Sequence, residues 1–129
     1  MMSNSEIING AFNCINNGEY ATAIELLNPL LKEEDATAQY LMGFMYNNGH
    51  GVAKDLNKAE ELYLASGKQG LGASYYLLGT MYFKELNEQE KAYQSYIAGA
   101  RLHDKSCINK LIPSSNTKAF SGDIELKSI

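Results

Sequence analysis

The chain has 129 residues, a formal net charge of −4, an apolar fraction of 45% and a charged fraction of 20%, the balance of an ordinary folded domain. No apolar run approaches the roughly 18–20 residues of a membrane-spanning helix, and two prolines beside eleven glycines exclude a Pro/Gly-rich disordered chain. The acidic balance, with no cluster of Lys and Arg, speaks against a nucleic-acid binder, and no membrane partner is expected.

The first residues, MMSNSEIINGAF, lack the basic start and the apolar core of a signal peptide. A cytoplasmic location is therefore expected. The first two helices are predicted over about 3–17 and 20–33, joined by the turn Asn17-Gly18-Glu19. Next come helices over about 36–48 and 56–69. Their apolar residues recur at spacings of three and four, as in Ala38, Met42, Met45, Tyr46 and in Ala59, Leu62, Tyr63, the signature of a helix with a buried face. Asn47-Asn48-Gly49 supplies the left-handed residue that often ends a helix, and Asp55 is placed to cap the helix that follows. Helices over about 72–84, 88–102 and 104–112 complete the set. Asn87-Glu88-Gln89-Glu90 reads as a capping box, with Asn at the cap and Glu three residues on. No segment alternates with period two for long enough to predict a sheet. Pro113 stops the last helix, and residues 113–129 form a tail that is expected to fold back over the open end of the helical array.

Two of these stretches are copies of each other. Ala-Gln-Tyr-Leu-Met-Gly-Phe-Met-Tyr at 38–46 aligns with Ser-Tyr-Tyr-Leu-Leu-Gly-Thr-Met-Tyr at 74–82, a spacing of 36 residues. Lys58-Ala59…Tyr63 aligns with Lys91-Ala92…Tyr96 at a spacing of 33, so the second copy has a loop shorter by three. Ala23 lies 36 before Ala59, and Cys107 lies 33 after Ser74. A period of this length marks a stacked repeat architecture. The reading is an all-α chain: one helical-repeat domain over 1–112, with helix pairs 3–33, 36–69 and 72–102, a terminal helix 104–112, and the tail.

The run A-Q-Y-x-M-G-F-M-Y-x-N-G-x-G-V-x-x-D-x-x-K-A at 38–59 resembles the Sel-one-like repeat, a relative of the tetratricopeptide repeat. The resemblance covers about residues 6–112 and implies a right-handed α/α solenoid. It implies that Ala38, Gly43 and Ala59 sit where paired helices cross, that Tyr40, Met42 and Tyr46 fill the space between them, and that Gly49-x-Gly51-Val52 with Asp55 forms the connecting loop. The second copy keeps Tyr76, Leu78, Gly79, Tyr82, Lys91 and Ala92 and replaces the Gly-x-Gly-Val loop by Lys84-Glu85-Leu86. The first pair, with Gly18-Glu19-Tyr20-x-x-Ala23, is closer to the tetratricopeptide style. A fold of this kind does not by itself name a function.

Chemistry is sparse. There is no Gly-x-Gly-x-x-Gly fingerprint, P-loop or His-Glu-x-x-His pattern. His50 and His103 are too few for a metal site with scattered acids, and no cofactor is expected. Cys14 and Cys107 lie in apolar helical stretches, where a thiol packs as a small hydrophobe. Glu60 and Glu61 read as solvated surface carboxylates.

The binding prediction comes from slots that differ between the copies: Gln39 against Tyr75, Phe44 against Thr80, and Asn47 against Phe83. Such slots are expected to lie outside the packing, on first helices that line the inner curve, where aromatic side chains make efficient anchors. The candidate face is Gln39, Phe44, Asn47, Tyr75 and Phe83. Glu33, Glu34 and Asp35 would add electrostatic steering, because residues 1–53 carry six acids and one base. The expected function is a non-enzymatic module that binds one protein partner and is monomeric when free. Its most concrete form is a small bacterial immunity or inhibitor protein that neutralises a basic toxin domain. The alternative is a generic adaptor or scaffold in signalling or host interaction. A remoter alternative follows from the resemblance: cysteine-rich relatives are linked with β-lactam hydrolysis. Those relatives carry paired cysteines in each unit, whereas this chain has two in all.

Overall fold

The computed structural model describes residues 2–112. The expected tail over 113–129, with its fold-back, lies outside the described residues. Within them are seven helices: α1 (Asn4–Asn16), α2 (Tyr20–Lys32), α3 (Ala36–Asn48), α4 (Leu56–Lys68), α5 (Gly72–Lys84), α6 (Gln89–Arg101) and α7 (Lys105–Leu111). There is no strand among the described residues. The helices pack as antiparallel-style pairs, α1 with α2, α3 with α4, α5 with α6, and each pair leans on the next. Every predicted helix is present, with ends within a residue or so of those expected.

Local chemistry explains the starts and stops. Asp35, Asp55 and Asp104 cap α3, α4 and α7, each carboxylate accepting from the backbone N–H three residues on, at 2.8, 3.1 and 2.9 Å. Gly49 ends α3 in the left-handed conformation, at φ 68°. The capping box expected at Asn87–Glu90 does not form. The residue before α6 is Glu88, whose side chain makes no cap bond, while Asn87 takes a left-handed turn at φ 53°. Asn is among the few residues that take the left-handed region readily, and here it is used for the turn one residue before the cap. A capping box does form at Ser3 and Glu6, where each side chain bonds the other's backbone N–H.

The repeat is visible as geometry. A methyl carbon built on Gly43 would stand 2.8 Å from the Tyr63 ring, and one on Gly79 would stand 2.6 Å from the Tyr96 ring. In both units a tyrosine from the second helix lies flat against a gap that only glycine leaves on the first. The first unit fills the equivalent places with the buried pair Ala11 and Leu27. The loops close the same way although one is three residues shorter: Asp55 N–H donates to the Tyr46 carbonyl at 3.0 Å, and Glu88 N–H to the Tyr82 carbonyl at 2.8 Å. Lys58 lies over the Tyr46 ring and Lys91 over the Tyr82 ring, at 5.3 and 5.6 Å.

The core is built as two clusters. Ala11, Ile15, Leu27, Leu30, Leu41 and Met45 belong to one, and Tyr63, Leu78, Met81, Tyr96 and Cys107 to the other. A buried polar chain crosses between units: Ser74 Oγ donates to Ser66 Oγ at 2.6 Å, and Ser66 Oγ donates to the Ala36 carbonyl at 2.7 Å. It joins α3, α4 and α5, and among the described residues no buried side-chain N or O is left without a partner.

Glu60 departs from the solvated reading. It is half-buried and accepts a hydrogen bond from the Tyr82 hydroxyl. Glu61 is exposed. Glu60→Ala and Tyr82→Phe are each expected to lower stability by about 1–2 kcal/mol, as loss of a hydrogen bond to a charged group does. Glu61→Ala is expected to stay within about 0.5 kcal/mol of the parent. Urea midpoints at neutral pH check the contrast.

Candidate interaction face

The first helices of successive units, α1, α3 and α5, pack side by side, and two adjoining cavities open along them. One, of 110 Å³, is lined by Phe12, Ile15 and Asn16 of α1 and by Tyr40, Leu41 and Phe44 of α3. The other, of 220 Å³, runs from Phe44 and Asn47 of α3 to Leu77, Thr80 and Lys84 of α5, with Tyr63 and Met81 also lining it. Phe44 borders both and is the wall between them. Its position is braced by His50, whose ring centre lies 5.9 Å from that of Phe44 and stacks parallel on Tyr20 at 4.6 Å.

The predicted residues divide by environment. Phe44 and Asn47 line the larger cavity. Phe83 is 52% exposed but does not line either cavity. Gln39 is not a free slot: it is 8% exposed, and its side-chain oxygen accepts from Gln69 Nε2 at 2.8 Å. Tyr75 also packs, with its ring against Gly67, where a methyl carbon would meet it at 2.7 Å. These two slots differ between copies because their packing partners differ, not because packing leaves them free.

The acidic triplet is divided too. Glu34 holds the turn residue in the left-handed conformation, at φ 59°, and its carbonyl accepts from Gln69. Asp35 is spent on the cap of α3. Both stand at the opposite end of α3 from Phe44, about 13 Å away along the helix axis at the usual rise per residue. They are therefore not part of the aromatic cavity wall. Sequence reasoning missed Phe12, which is 50% exposed on the cavity rim. Its signals are a large aromatic beside the buried Ala11 in an amphipathic helix and a repeat slot shared with Phe44.

The titratable groups argue for packing. Burial pushes the Cys107 thiol up to about 12 from its ordinary 9.0, and the Asp104 carboxylate beside it adds to the shift. Burial likewise raises Tyr63 and Tyr82, the latter helped by its bond to Glu60. Both cysteines are free. The neutral Cys107 thiol is favoured by the fold, so its contribution to stability is complete below pH 9.0 and is lost as pH rises toward about 12. A thiol reagent is expected to label Cys107 only in step with global unfolding, with half-buried Cys14 reacting first. Peptide-resolved labelling across a urea series checks this. Among the described residues no three of His, Cys, Asp and Glu converge as a metal site would require, and no helix is long and apolar enough to cross a membrane.

Paired helices with a repeated glycine–tyrosine crossing define an all-α helical-repeat solenoid. Comparison with known proteins gives the kind of repeat. No family model matches the chain. A curated protein, the putative sel1-like repeat-containing protein L21 of Acanthamoeba polyphaga mimivirus, is 34% identical over 82 residues, covering 56% of this chain and 15% of that protein. The crystal structure of a Sel1 repeat protein from Oxalobacter formigenes shares the fold with a TM-score of 0.67 at 23% identity, covering 81% of this chain and 43% of that one. The chain is thus similar to a Sel1-like repeat protein in sequence over 82 residues and shares the fold of a Sel1 repeat protein, in line with the resemblance read at 38–59. The chain spans a minor part of the length of both of these proteins.

Proposed function

We propose that this chain is a non-enzymatic protein-binding repeat module whose binding surface is the α1–α3–α5 face. The observation that carries this reading is Phe44 standing between two cavities, the smaller mainly apolar and the larger of mixed lining, beside the exposed ring of Phe12. Aromatic anchors in such concave sites bury much area at little cost in rotamer freedom. The more concrete form is a small immunity or inhibitor protein in a bacterial cytoplasm, monomeric when free, that neutralises a basic toxin domain. Support comes from charge: none of the six acids in residues 1–53 forms an ion pair among the described residues, where the pairs are Lys54–Glu85 and Lys91–Glu88. A negative field of this kind speeds encounter with a basic partner.

The test is photo-crosslinking in source cells, with a photoreactive phenylalanine placed at position 12 and, as control, at Thr22 on the exposed side of α2. A single protein crosslinked from position 12 alone supports the module reading. If that protein is toxic and basic, and co-expression of this chain restores growth, the inhibitor form stands; a harmless acidic partner refutes that form. Equal crosslinking from both positions refutes the face. A second reading is a generic adaptor or scaffold in signalling or host interaction, since a helical-repeat fold serves many binding roles. Partners that bridge two other proteins through this chain would distinguish it.

A further inference from the structure

The chain contains three Asn-Gly sequences, Asn9-Gly10, Asn17-Gly18 and Asn48-Gly49, and the fold treats them unequally. Asn9-Gly10 lies inside α1. Asn48 closes α3, and its side-chain amide donates to the Phe44 carbonyl at 2.9 Å. Gly49 is held against the next loop, with Lys54 atoms 3.2 to 3.6 Å from where its Cβ would be. Asn17-Gly18 has neither restraint. Both residues are exposed. No atom lies within 4 Å of where a Gly18 Cβ would stand, and the Asn17 side chain makes no hydrogen bond among the described residues. Its backbone is tied by turn bonds, with Asn17 N–H to the Asn13 carbonyl, Gly18 N–H to the Ile15 carbonyl and Glu19 N–H to the Cys14 carbonyl, at 3.0, 3.1 and 2.7 Å.

We propose that Asn17 is a site of spontaneous covalent modification, by amide-to-acid conversion, while the fold guards Asn48 and Asn9. Asparagine is a chemically labile residue, and a following glycine exposes its backbone nitrogen and lets the chain bend. The Gly18 nitrogen attacks the Asn17 side-chain carbonyl carbon. A new C–N bond closes a five-membered imide, and the side-chain nitrogen leaves as ammonia, taking the Gly18 N–H proton. Water then adds across one imide carbonyl and opens the ring. One opening gives aspartate; the other gives isoaspartate, whose main chain runs through the side-chain carboxyl. No oxidant or reductant takes part, and water is the co-reactant.

The consequence falls on the turn that joins α1 to α2. Either product places a negative charge at the carboxyl end of α1, where the helix dipole disfavours it. The isoaspartate adds a carbon to the main chain next to Asn16, which lines the smaller cavity. Age would thus register at the edge of the α1–α3 cavity before it reached the rest of the molecule.

The experiment incubates the purified protein in mildly alkaline buffer, folded and in concentrated urea, and follows each site by peptide mass spectrometry. An isoaspartyl methyltransferase with labelled S-adenosylmethionine marks the isomer. In urea the three Asn-Gly sites are expected to convert at rates alike within about threefold. In the folded protein Asn17 should keep most of that rate, while Asn48 and Asn9 fall by about tenfold or more, because they react only through local opening. Asn17→Gln, checked by circular dichroism for an intact fold, should abolish the early methyl acceptor. Folded-state conversion at Asn48 as fast as at Asn17, or protection of Asn17 equal to that of Asn9, would overturn the proposal.

Discussion

Gly43→Leu and Gly79→Leu are each expected to destabilise the fold by about 3 kcal/mol or more, the upper end of the cost of forcing extra atoms into a packed interior. The reason is the distance: even the first added carbon would meet a tyrosine ring at 2.8 or 2.6 Å, and those rings belong to the buried residues Tyr63 and Tyr96. Gly43→Ala is the sharper test. Alanine is the better helix former by about 1 kcal/mol, so helix propensity alone predicts a gain, whereas the crossing predicts a net loss of about 1–3 kcal/mol. The first unit, with Ala11 and Leu27 at the same places, supplies the compensating change. Gly43→Ala combined with Tyr63→Leu is expected to recover part of the loss, giving a favourable coupling between the two sites in a double-mutant cycle. Thermal midpoints of the four proteins decide it. A Gly43→Ala protein more stable than its parent would mean that the two helices are further apart than the crossing requires.

The repeat was legible because packing constraints recur with it. Gly43 and Gly79, Tyr63 and Tyr96, Ala59 and Ala92 hold the same places for the same steric reason, and their periodicity located α3 to α6, while turn and stop residues placed the others. Ends were legible where one side chain decides them, as at Asp55 and Gly49. They were less legible at Asn87, because Asn suits a left-handed turn as well as a cap and the structure uses it for the turn. The site was less legible. Difference between copies suggests freedom from packing, but Gln39 differs from Tyr75 because Gln39 meets Gln69 while Tyr75 meets Gly67. A compensated pair and a free surface position look alike in one sequence. Glu34 and Asp35 read as a charge cluster, yet one makes the turn and the other the cap. Phe12 shares its repeat slot with Phe44 of α3 and Thr80 of α5, so its signal lay in the register between α1 and α3, which differs from the 36-residue period because the α1–α2 turn is shorter.

Phe12→Ala and Phe44→Ala are expected to weaken partner binding by about 1–3 kcal/mol each, chiefly through faster dissociation, and to differ in what they do to the free protein. Phe12 is half exposed on the rim, so its loss removes contact area without opening the core; stability should stay within about 0.5 kcal/mol. Phe44 packs against the core residues as well as bordering both cavities. Its loss merges the cavities and should also cost about 1–3 kcal/mol of folding stability, below the full cost of a buried phenylalanine because the ring is only partly buried. Phe83→Ala, exposed but away from both cavities, should change neither quantity. Glu33→Ser with Glu34→Ser should slow association and flatten its salt dependence without speeding dissociation, since exposed charges act at a distance. The measurements are urea midpoints for the free proteins and association and dissociation rates against the crosslinked partner. Dissociation accelerated by Phe83→Ala and untouched by Phe12→Ala would move the binding surface off the α1–α3 cavity and onto the exposed side of α5.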